Sequence, residues 1–239
     1  WFDGYAGERV IILDDLDSAG AQMFIESVEK EGRKAEYLSL DLRNPGDIDQ
    51  WVKTAVQTLG GIDILISNAG VTNFEGVEKC SESAWDDCMN INLASHWRLA
   101  KSAYPYLKQS EHGVIIVIAS NHAYYTSPGC FPYNVAKAGL LAMVQSFAIE
   151  WGPHIRAVGI APGYVETSMV RSLFENHTDA EAQLAKIKNI HPVNKIGSPQ
   201  EIGALCTFLA SKWAGFFTGT TIDVDGGRSA LMEDNVNYG

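Results

Sequence analysis

Short apolar runs alternate with longer amphipathic segments along most of the chain. The apolar runs have strand length and are rich in Val and Ile, as in GVIIVIAS at 113–120 and IDILISNAG at 62–70. Runs that are apolar almost throughout predict strands buried on both faces, which is the pattern of a parallel sheet covered by helices. The other predicted strands are 10–14, 35–42, 155–163 and 220–227.

The intervening segments carry the start and stop signals of helices. Asp17 is placed to cap the first helix, and Pro199 falls in the first turn of the last one. The long segment at 82–108 is predicted to be helical, with a break near Asn92. The other predicted helices are 18–30, 48–59, 133–151 and 198–210.

This alternation predicts an α/β fold with a Rossmann-like, doubly wound parallel sheet in three α/β/α layers. We expect residues 1–239 to form a single domain, because single α/β domains commonly reach this length. The one long irregular region is 164–196, and we predict that it is a substrate loop.

Composition and charge disfavour several classes of function. The formal net charge is −11, which disfavours a nucleic-acid partner. No apolar run reaches the roughly 20 residues needed to span a bilayer, and no signal-peptide pattern opens the chain. We expect a cytoplasmic protein without a membrane partner or a metal site, since the histidines lack ligand spacing. Four cysteines without CxxC spacing favour free thiols over zinc ligands or disulfides; they are Cys80, Cys88, Cys130 and Cys206.

Candidate chemistry centres on SNHAYYTSPGCFPYNVAKAGL at 120–140. Tyr133 and Lys137 are four residues apart on a predicted helix, so they share one face. A nearby ammonium would favour the phenolate and lower the pKa of Tyr133 from about 10. Ser120 ends a strand at the edge where parallel sheets bind ligands, and its hydroxyl can bond a substrate oxygen. Taken alone, the Tyr-x-x-x-Lys pattern more often marks an ordinary surface helix.

The pattern does not stand alone, because several motifs together resemble the short-chain dehydrogenase/reductase family. Their order and spacing match the family over residues 8–228, and KIGSPQEIG at 195–203 resembles the segment after its substrate loop. The motifs are SNAG at 67–70, NIN at 90–92, Ser120, Tyr133-x-x-x-Lys137, APGYVET at 161–167 and TGTTIDVDGG at 218–227. The resemblance implies an NAD(P)-dependent oxidoreductase that transfers hydride between nicotinamide and an alcohol or carbonyl substrate.

The resemblance also implies four catalytic roles. Tyr133 would be the acid/base that passes a proton to or from the substrate oxygen, and Ser120 would hold that oxygen. Lys137 would contact the nicotinamide ribose hydroxyls and lower the pKa of Tyr133. Asn92 would hold a water of the proton relay while also kinking its helix.

A set of cofactor-binding residues follows from the same resemblance. The turn at 68–70 would lie beside the adenine-side ribose, although small residues at a strand end equally suit a plain tight turn. Asp41 would contact the adenine, with Leu42 beside it, and Thr167 would bind the carboxamide. The full set, besides Asp15, Tyr133 and Lys137, is Asp41, Leu42, Asn68, Ala69, Gly70, Pro162, Gly163, Val165 and Thr167.

Asp15 predicts the cofactor preference. A carboxylate at the end of the strand predicted at 10–14 can accept hydrogen bonds from both adenosine ribose hydroxyls. It also repels a 2′-phosphate, which favours NAD over NADP. Asp14 and Asp17 add negative charge. The alternative is that this acidic cluster merely caps the following helix, the role expected for Asp17.

The family's first strand and its TGxxxGxG turn have no match in the sequence. GYAGERVIILDD at 4–15 corresponds to the end of the first helix and the second strand, so roughly twenty residues of the unit are missing. Three explanations stay open: the sequence is a fragment, the strand at 10–14 has moved beside 62–67, or another subunit fills the gap. The alternative function is a non-catalytic oligomeric protein that binds no dinucleotide.

The resemblance implies a homodimer or homotetramer, paired through the predicted helices 82–108 and 133–151 or through the C-terminal strand and helix. The substrate is expected to be a small alcohol or carbonyl compound. Polar side chains near the expected site favour a sugar or polyol over a steroid or fatty acyl chain; they are His122, Tyr124, Tyr125 and Glu166.

Overall fold

A computed structural model describes residues 9–12, 18–167, 170 and 179–231 of the chain. Within these residues, six strands alternate with helices, and every strand pair is parallel, as predicted. The strands are β1 (Arg9–Ile12), β2 (Lys34–Tyr37), β3 (Ile64–Ser67), β4 (Gly113–Ile118), β5 (Ile155–Pro162) and β6 (Thr220–Val224).

The helices lie between the strands and largely follow the predicted positions. Ser198 caps the last one through a capping box with Glu201, and Asn44 caps the second. They are α1 (Ser18–Lys30), α2 (Pro45–Leu59), α3 (Glu82–Met89), α4 (Ser95–Leu107), α5 (Tyr133–Trp151), α6 (Ala180–Asn189) and α7 (Pro199–Ala210).

The core has the three predicted layers. Side chains alternate across β4, so Ile115 and Val117 face one cluster while Ile116 and Ile118 face the other. The first cluster is completed by α2, α4 and α5, and the second by α7. All six β4 residues are buried, which explains why this strand is apolar throughout.

The strands that the structure describes form two sheets. β1 pairs with β2, while the second sheet has the order β3-β4-β5-β6. No ladder within the described residues joins β1 to β3, so the alternative that 10–14 has moved beside 62–67 is not what the structure shows.

Several predicted strand ends differ from those observed, and one predicted loop is partly helical. The strand expected at 35–42 ends at Tyr37, and the strand expected at 220–227 ends at Val224. The region 164–196 is not irregular throughout, since it contains α6, capped by Asp179. In the described part of the chain, no helix is long and apolar enough to cross a membrane.

Candidate active site

The carboxyl ends of the β3–β6 strands form one edge of the sheet, and the predicted site residues collect there. β3 runs into 68–70, β4 runs into Ser120, and β5 ends at Pro162 beside the segment that follows β6. Tyr133 opens α5, the helix that packs against β5. The parallel sheet therefore assembles segments that are far apart in the sequence.

Asn92 lies in a π-helical turn, Asn90–Ala94, between α3 and α4. This turn is the break predicted near Asn92, and such turns are frequent at functional sites. The Asn92 side chain is fully buried; its Oδ1 accepts the Val71 N–H at 2.9 Å, and its Nδ2 lies 3.3 Å from Cys88 Sγ. These contacts fix the direction of the amide.

Gly70 shows that Asn92 and Lys137 converge. A β carbon at Gly70 would lie 2.9 Å from Asn92 Oδ1 and 3.4 Å from Lys137 Nζ. Lys137 is itself buried and donates from Nζ to the Ile118 carbonyl at 3.1 Å. Burial lowers the pKa of Lys137 to about 8.

Tyr133 lies in an aromatic pocket beside this lysine. Phe74 contacts its ring edge-on at 5.4 Å between centroids, and the His122 ring is 6.1 Å away. Burial raises the pKa of Tyr133 above its ordinary value, and the hydrogen bond with the Ser120 hydroxyl opposes that change.

The expected lowering of the Tyr133 pKa by Lys137 is therefore not what the structure shows. Lys137 Nζ is 5.6 Å from the Tyr133 ring centroid, which is close enough to interact. However, the pKa of Lys137 is about 8, so this side chain is already neutral at the higher pH where a phenol with a raised pKa ionises. Desolvation by burial shifts the pKa of both Tyr133 and Lys137, and the spacing of two residues along a helix does not reveal burial.

Ser120 lies where the sequence predicted, directly after β4. It caps the short 3₁₀ turn Asn121–Ala123, with its Oγ accepting the His122 N–H at 3.2 Å. His122 Nδ1 lies 3.1 Å from Thr126 Oγ1. Burial and the positive charge of Arg228 both lower the pKa of His122. The imidazole is therefore neutral at neutral pH.

The turn at 68–70 is anchored by a buried pair one residue earlier. Ser67 Oγ lies 2.7 Å from His96 Nδ1, and both side chains are buried. Burial first, and then the charge of Lys137, lowers the pKa of His96 to about 3. This neutral histidine holds the end of β3 against α4. It has the structural role expected of an isolated histidine.

The residues predicted around the nicotinamide follow β5. A β carbon on Gly163 would lie 2.8 Å from the Asp225 β carbon, so the segments after β5 and β6 touch here. Val165 forms a bridge with Gly197, and Thr167 Oγ1 accepts the Val170 N–H at 3.3 Å. Pro162 ends β5.

The residues predicted on the adenine side of the cofactor have different surroundings. Asp41 is exposed, and hydrogen bonds from the Arg43 backbone and side chain hold its pKa below the ordinary value. Leu42 is buried in the core. Asp15, Asp14 and Asp17 lie outside the described residues.

Two neighbours of the site were not predicted. Phe74 gives no signal in the sequence, because it lies in an irregular segment after the Gly70 turn. Arg228 does give one: it follows Gly226 and Gly227 at the carboxyl end of β6, and therefore lies at the same sheet edge. The four cysteines are free thiols, and Cys88 Sγ is the sulfur that lies 3.3 Å from Asn92 Nδ2.

Comparisons with known proteins agree with this geometry. The family model described as enoyl-(acyl carrier protein) reductase matches residues 5–229. The bovine (Bos taurus) dehydrogenase/reductase SDR family member 4 is 36% identical over 91% of this chain and 77% of its own length. The 3-oxoacyl-[acyl-carrier-protein] reductase FabG of Thermotoga maritima is 30% identical over 91% of this chain and 86% of its own.

A solved structure has the same fold. The short-chain dehydrogenase/reductase structure from Burkholderia xenovorans superimposes with a TM-score of 0.88 and 30% identity, over 94% of this chain and 86% of that one. The matched region contains every strand and the helices that carry the candidate site. The chain belongs to the short-chain dehydrogenase/reductase family of oxidoreductases.

Proposed function

We propose that this protein is an NAD(P)-dependent oxidoreductase that interconverts an alcohol and its carbonyl compound, with Tyr133 as the acid/base. One observation carries the proposal: Asn92, Ser120, Tyr133 and Lys137 come together at one sheet edge although they belong to three different segments. Several relatives are named as reductases or dehydrogenases, which supports the same reaction class.

The residues on the nicotinamide side suit a dinucleotide. Lys137 is a buried ammonium whose one acceptor among the described residues is the Ile118 carbonyl, so two N–H groups are left for ribose hydroxyls. When bound, the cofactor would supply or accept the hydride. On the pyrophosphate side, residues 1–239 contain no TGxxxGxG turn. We propose NAD over NADP because of Asp15.

The side chains then divide the proton chemistry among them. The Ser120 hydroxyl holds the substrate oxygen, and Tyr133 exchanges a proton with that oxygen. Asn92 holds a water that continues the relay. Because the pKa of Tyr133 is raised, the phenol keeps its proton at neutral pH and is ready to donate it. This favours carbonyl reduction at neutral pH and alcohol oxidation at alkaline pH.

The first experiment is titration of the chain with NADH and NADPH, followed by the fluorescence of its six tryptophans. We expect saturable binding with NADH preferred. Tyr133→Phe should leave that binding unchanged and lower the reduction rate by about 10²- to 10⁴-fold. Tyr106→Phe, on α4, is the matched control and should be neutral. Unchanged turnover in Tyr133→Phe would refute the mechanism.

The second candidate is a non-catalytic protein of the same fold. The separation of β1–β2 from β3–β6 in the described residues is the observation that favours it. Absence of binding at millimolar NADH and NADPH would favour this second candidate.

We further propose that the protein is a homodimer or homotetramer that acts on a small polar substrate. Apolar side chains are exposed in the segment between α7 and β6, with Trp213 79% exposed and Phe216 fully exposed. Trp97 on α4 and Ile149 on α5 are exposed on the other helices expected to pair. Sedimentation-equilibrium ultracentrifugation tests this, and a monomer at micromolar concentration would contradict it.

A further inference from the structure

Arg228 is a half-buried cation next to the candidate active site. It follows the two glycines after β6, in the 3₁₀ turn Arg228–Ala230. Among the described residues, no carboxylate lies within 4 Å of its guanidinium to form an ion pair. A partly buried arginine without an acidic partner is unusual, above all in a chain of net charge −11.

The nearest carboxylate along the chain is already engaged. Asp225 accepts the Gly227 N–H at 3.0 Å and the Ser229 N–H at 2.6 Å, and so stabilises the turn that carries Arg228. The backbone of Arg228 also bonds the Asp225 carbonyl at 3.2 Å. The turn is therefore held by its own hydrogen bonds, and these leave the guanidinium available.

Tyr164 orients this guanidinium. The Arg228 Cζ atom lies 5.0 Å from the centroid of the Tyr164 ring, and the other ring contact of Tyr164 is with the buried His191 at 6.0 Å. The attraction between a guanidinium and an aromatic ring does not require its N–H groups as hydrogen-bond donors to another side chain. Those groups have the spacing of a carboxylate, which they bind with two hydrogen bonds.

Arg228 lies beside the segment that follows β5, since its Cζ is 5.0 Å from the Tyr164 ring and a β carbon on Gly163 would lie 2.8 Å from the Asp225 β carbon. The charge of Arg228 lowers the pKa of His122, and the His122 ring lies 6.1 Å from the Tyr133 ring. Ser120 is close by in the chain, and its Oγ accepts the backbone N–H of His122 at 3.2 Å. Arg228 therefore places a positive charge beside the segment predicted to border the nicotinamide.

We propose that Arg228 binds the carboxylate of the substrate, so that the site takes a short hydroxy acid or the corresponding oxo acid. This inference rests on the proposed function, in which the hydroxyl or carbonyl group of the substrate reacts at Ser120 and Tyr133. The His122 ring, whose centroid is 6.1 Å from that of Tyr133, can contribute a hydrogen bond. One guanidinium matches the single charge of a carboxylate, which makes a monoanion the fitting ligand.

The test compares acids with their methyl esters, which have the same carbon chain and hydroxyl group without the charge. The probes are lactate, 3-hydroxybutyrate and 4-hydroxypentanoate, each with its ester. Equilibrium binding to the full chain is measured by calorimetry with and without NADH, and oxidation is measured separately with NAD. We expect at least one acid to bind at least about 30-fold more tightly than its ester.

Arg228→Met keeps the aliphatic stem against Tyr164 and should abolish this preference while ester binding stays within about 2-fold. Arg228→Lys keeps the positive charge but loses the pair of parallel N–H donors, so it should retain part of the preference for the acid over the ester. Lys53→Met, on the exposed face of α2, is the matched control for the loss of one positive charge. Circular dichroism and thermal melting establish that each variant is folded.

The outcomes separate the two proposals. Equal binding of acids and esters by the natural chain, or an acid preference that persists in Arg228→Met, overturns the role of Arg228. An Arg228-dependent acid preference without any Tyr133-dependent turnover upholds the carboxylate site and refutes the proposed reaction. Turnover of esters and acids at equal rates upholds the reaction and refutes the carboxylate site.

Discussion

Lys137 is expected to make the protein less stable at neutral pH, so that Lys137→Met gives a more stable and inactive chain. The ammonium is buried beside Tyr133, and its one hydrogen-bond acceptor among the described residues is the Ile118 carbonyl. A buried charge with so few partners is costly to desolvate. Methionine has a similar length and no charge, so it can fill the same space.

The size of the effect follows from the pKa of Lys137. The fall from 10.5 to about 8 corresponds to about 3 kcal/mol of unfavourable free energy for the charged form in the folded state. Methionine removes this cost but leaves the Ile118 carbonyl without its donor, which costs about 1 kcal/mol. At pH 7, the free energy of unfolding should therefore rise by about 2 kcal/mol.

The pH dependence identifies the cause. The folded-state pKa of Lys137 is lower than the unfolded-state value, so the unfolded state binds more protons between pH 8 and 10.5. The stability of the natural chain relative to Lys137→Met then rises with pH through this window. At pH 9.5 the desolvation cost falls to about 1 kcal/mol, and the two proteins should be nearly equal in stability.

The assay is urea unfolding followed by tryptophan fluorescence at pH 7 and pH 9.5, without cofactor. Lys53→Met is the control, and its free energy of unfolding should stay within about 0.5 kcal/mol of the natural value at both pH values. A stability difference for Lys137→Met that is the same at both pH values would refute the desolvation argument. So would a variant that is less stable at pH 7.

Three glycine substitutions test the packing around the site. Gly70→Ala places a β carbon 2.9 Å from Asn92 Oδ1, so it should lower kcat/KM about 10²-fold in the carbonyl reduction assay; natural kinetics would contradict the convergence described here. Gly159→Ala places a β carbon 2.3 Å from Thr221 Oγ1 and should lower the free energy of unfolding in urea by about 1–3 kcal/mol. The loss should be smaller in a Thr221→Gly background, and an equal loss in both backgrounds would show that Thr221 is not the obstacle. Gly203→Ala is the control, because a β carbon there would meet open space on the exposed face of α7. It should raise the free energy of unfolding by about 0.5–1 kcal/mol, and a loss of stability would contradict the distances used for the other two glycines.

Local patterns in the sequence were sufficient for the fold class and for much of the candidate site. The apolar runs at 113–118 and 155–162 are strands because burial on both faces requires such runs. The spacing of Tyr133 and Lys137 placed both on one face of α5, which begins and ends at the predicted residues. The break near Asn92 was also correct, and it proved to be a π-helical turn.

Pairing and burial could not be predicted from the chain alone. The β2 strand ends at Tyr37, although the sequence pattern predicted a strand as far as residue 42. The pKa values of Lys137 and Tyr133 depend on desolvation by residues from several segments, so helical spacing predicted the wrong direction for Tyr133.

The sequence by itself determined the elements, their parallel arrangement and the residue types at the site, because these follow from hydrophobic periodicity and from motifs of fixed spacing. Only the tertiary structure placed Gly70 between Asn92 and Lys137 and brought Arg228 against the Tyr164 ring. Gly70 and Lys137, for example, are 67 positions apart in the sequence. Their distances are set by how strands and helices pack together, and no local pattern in the chain encodes that packing.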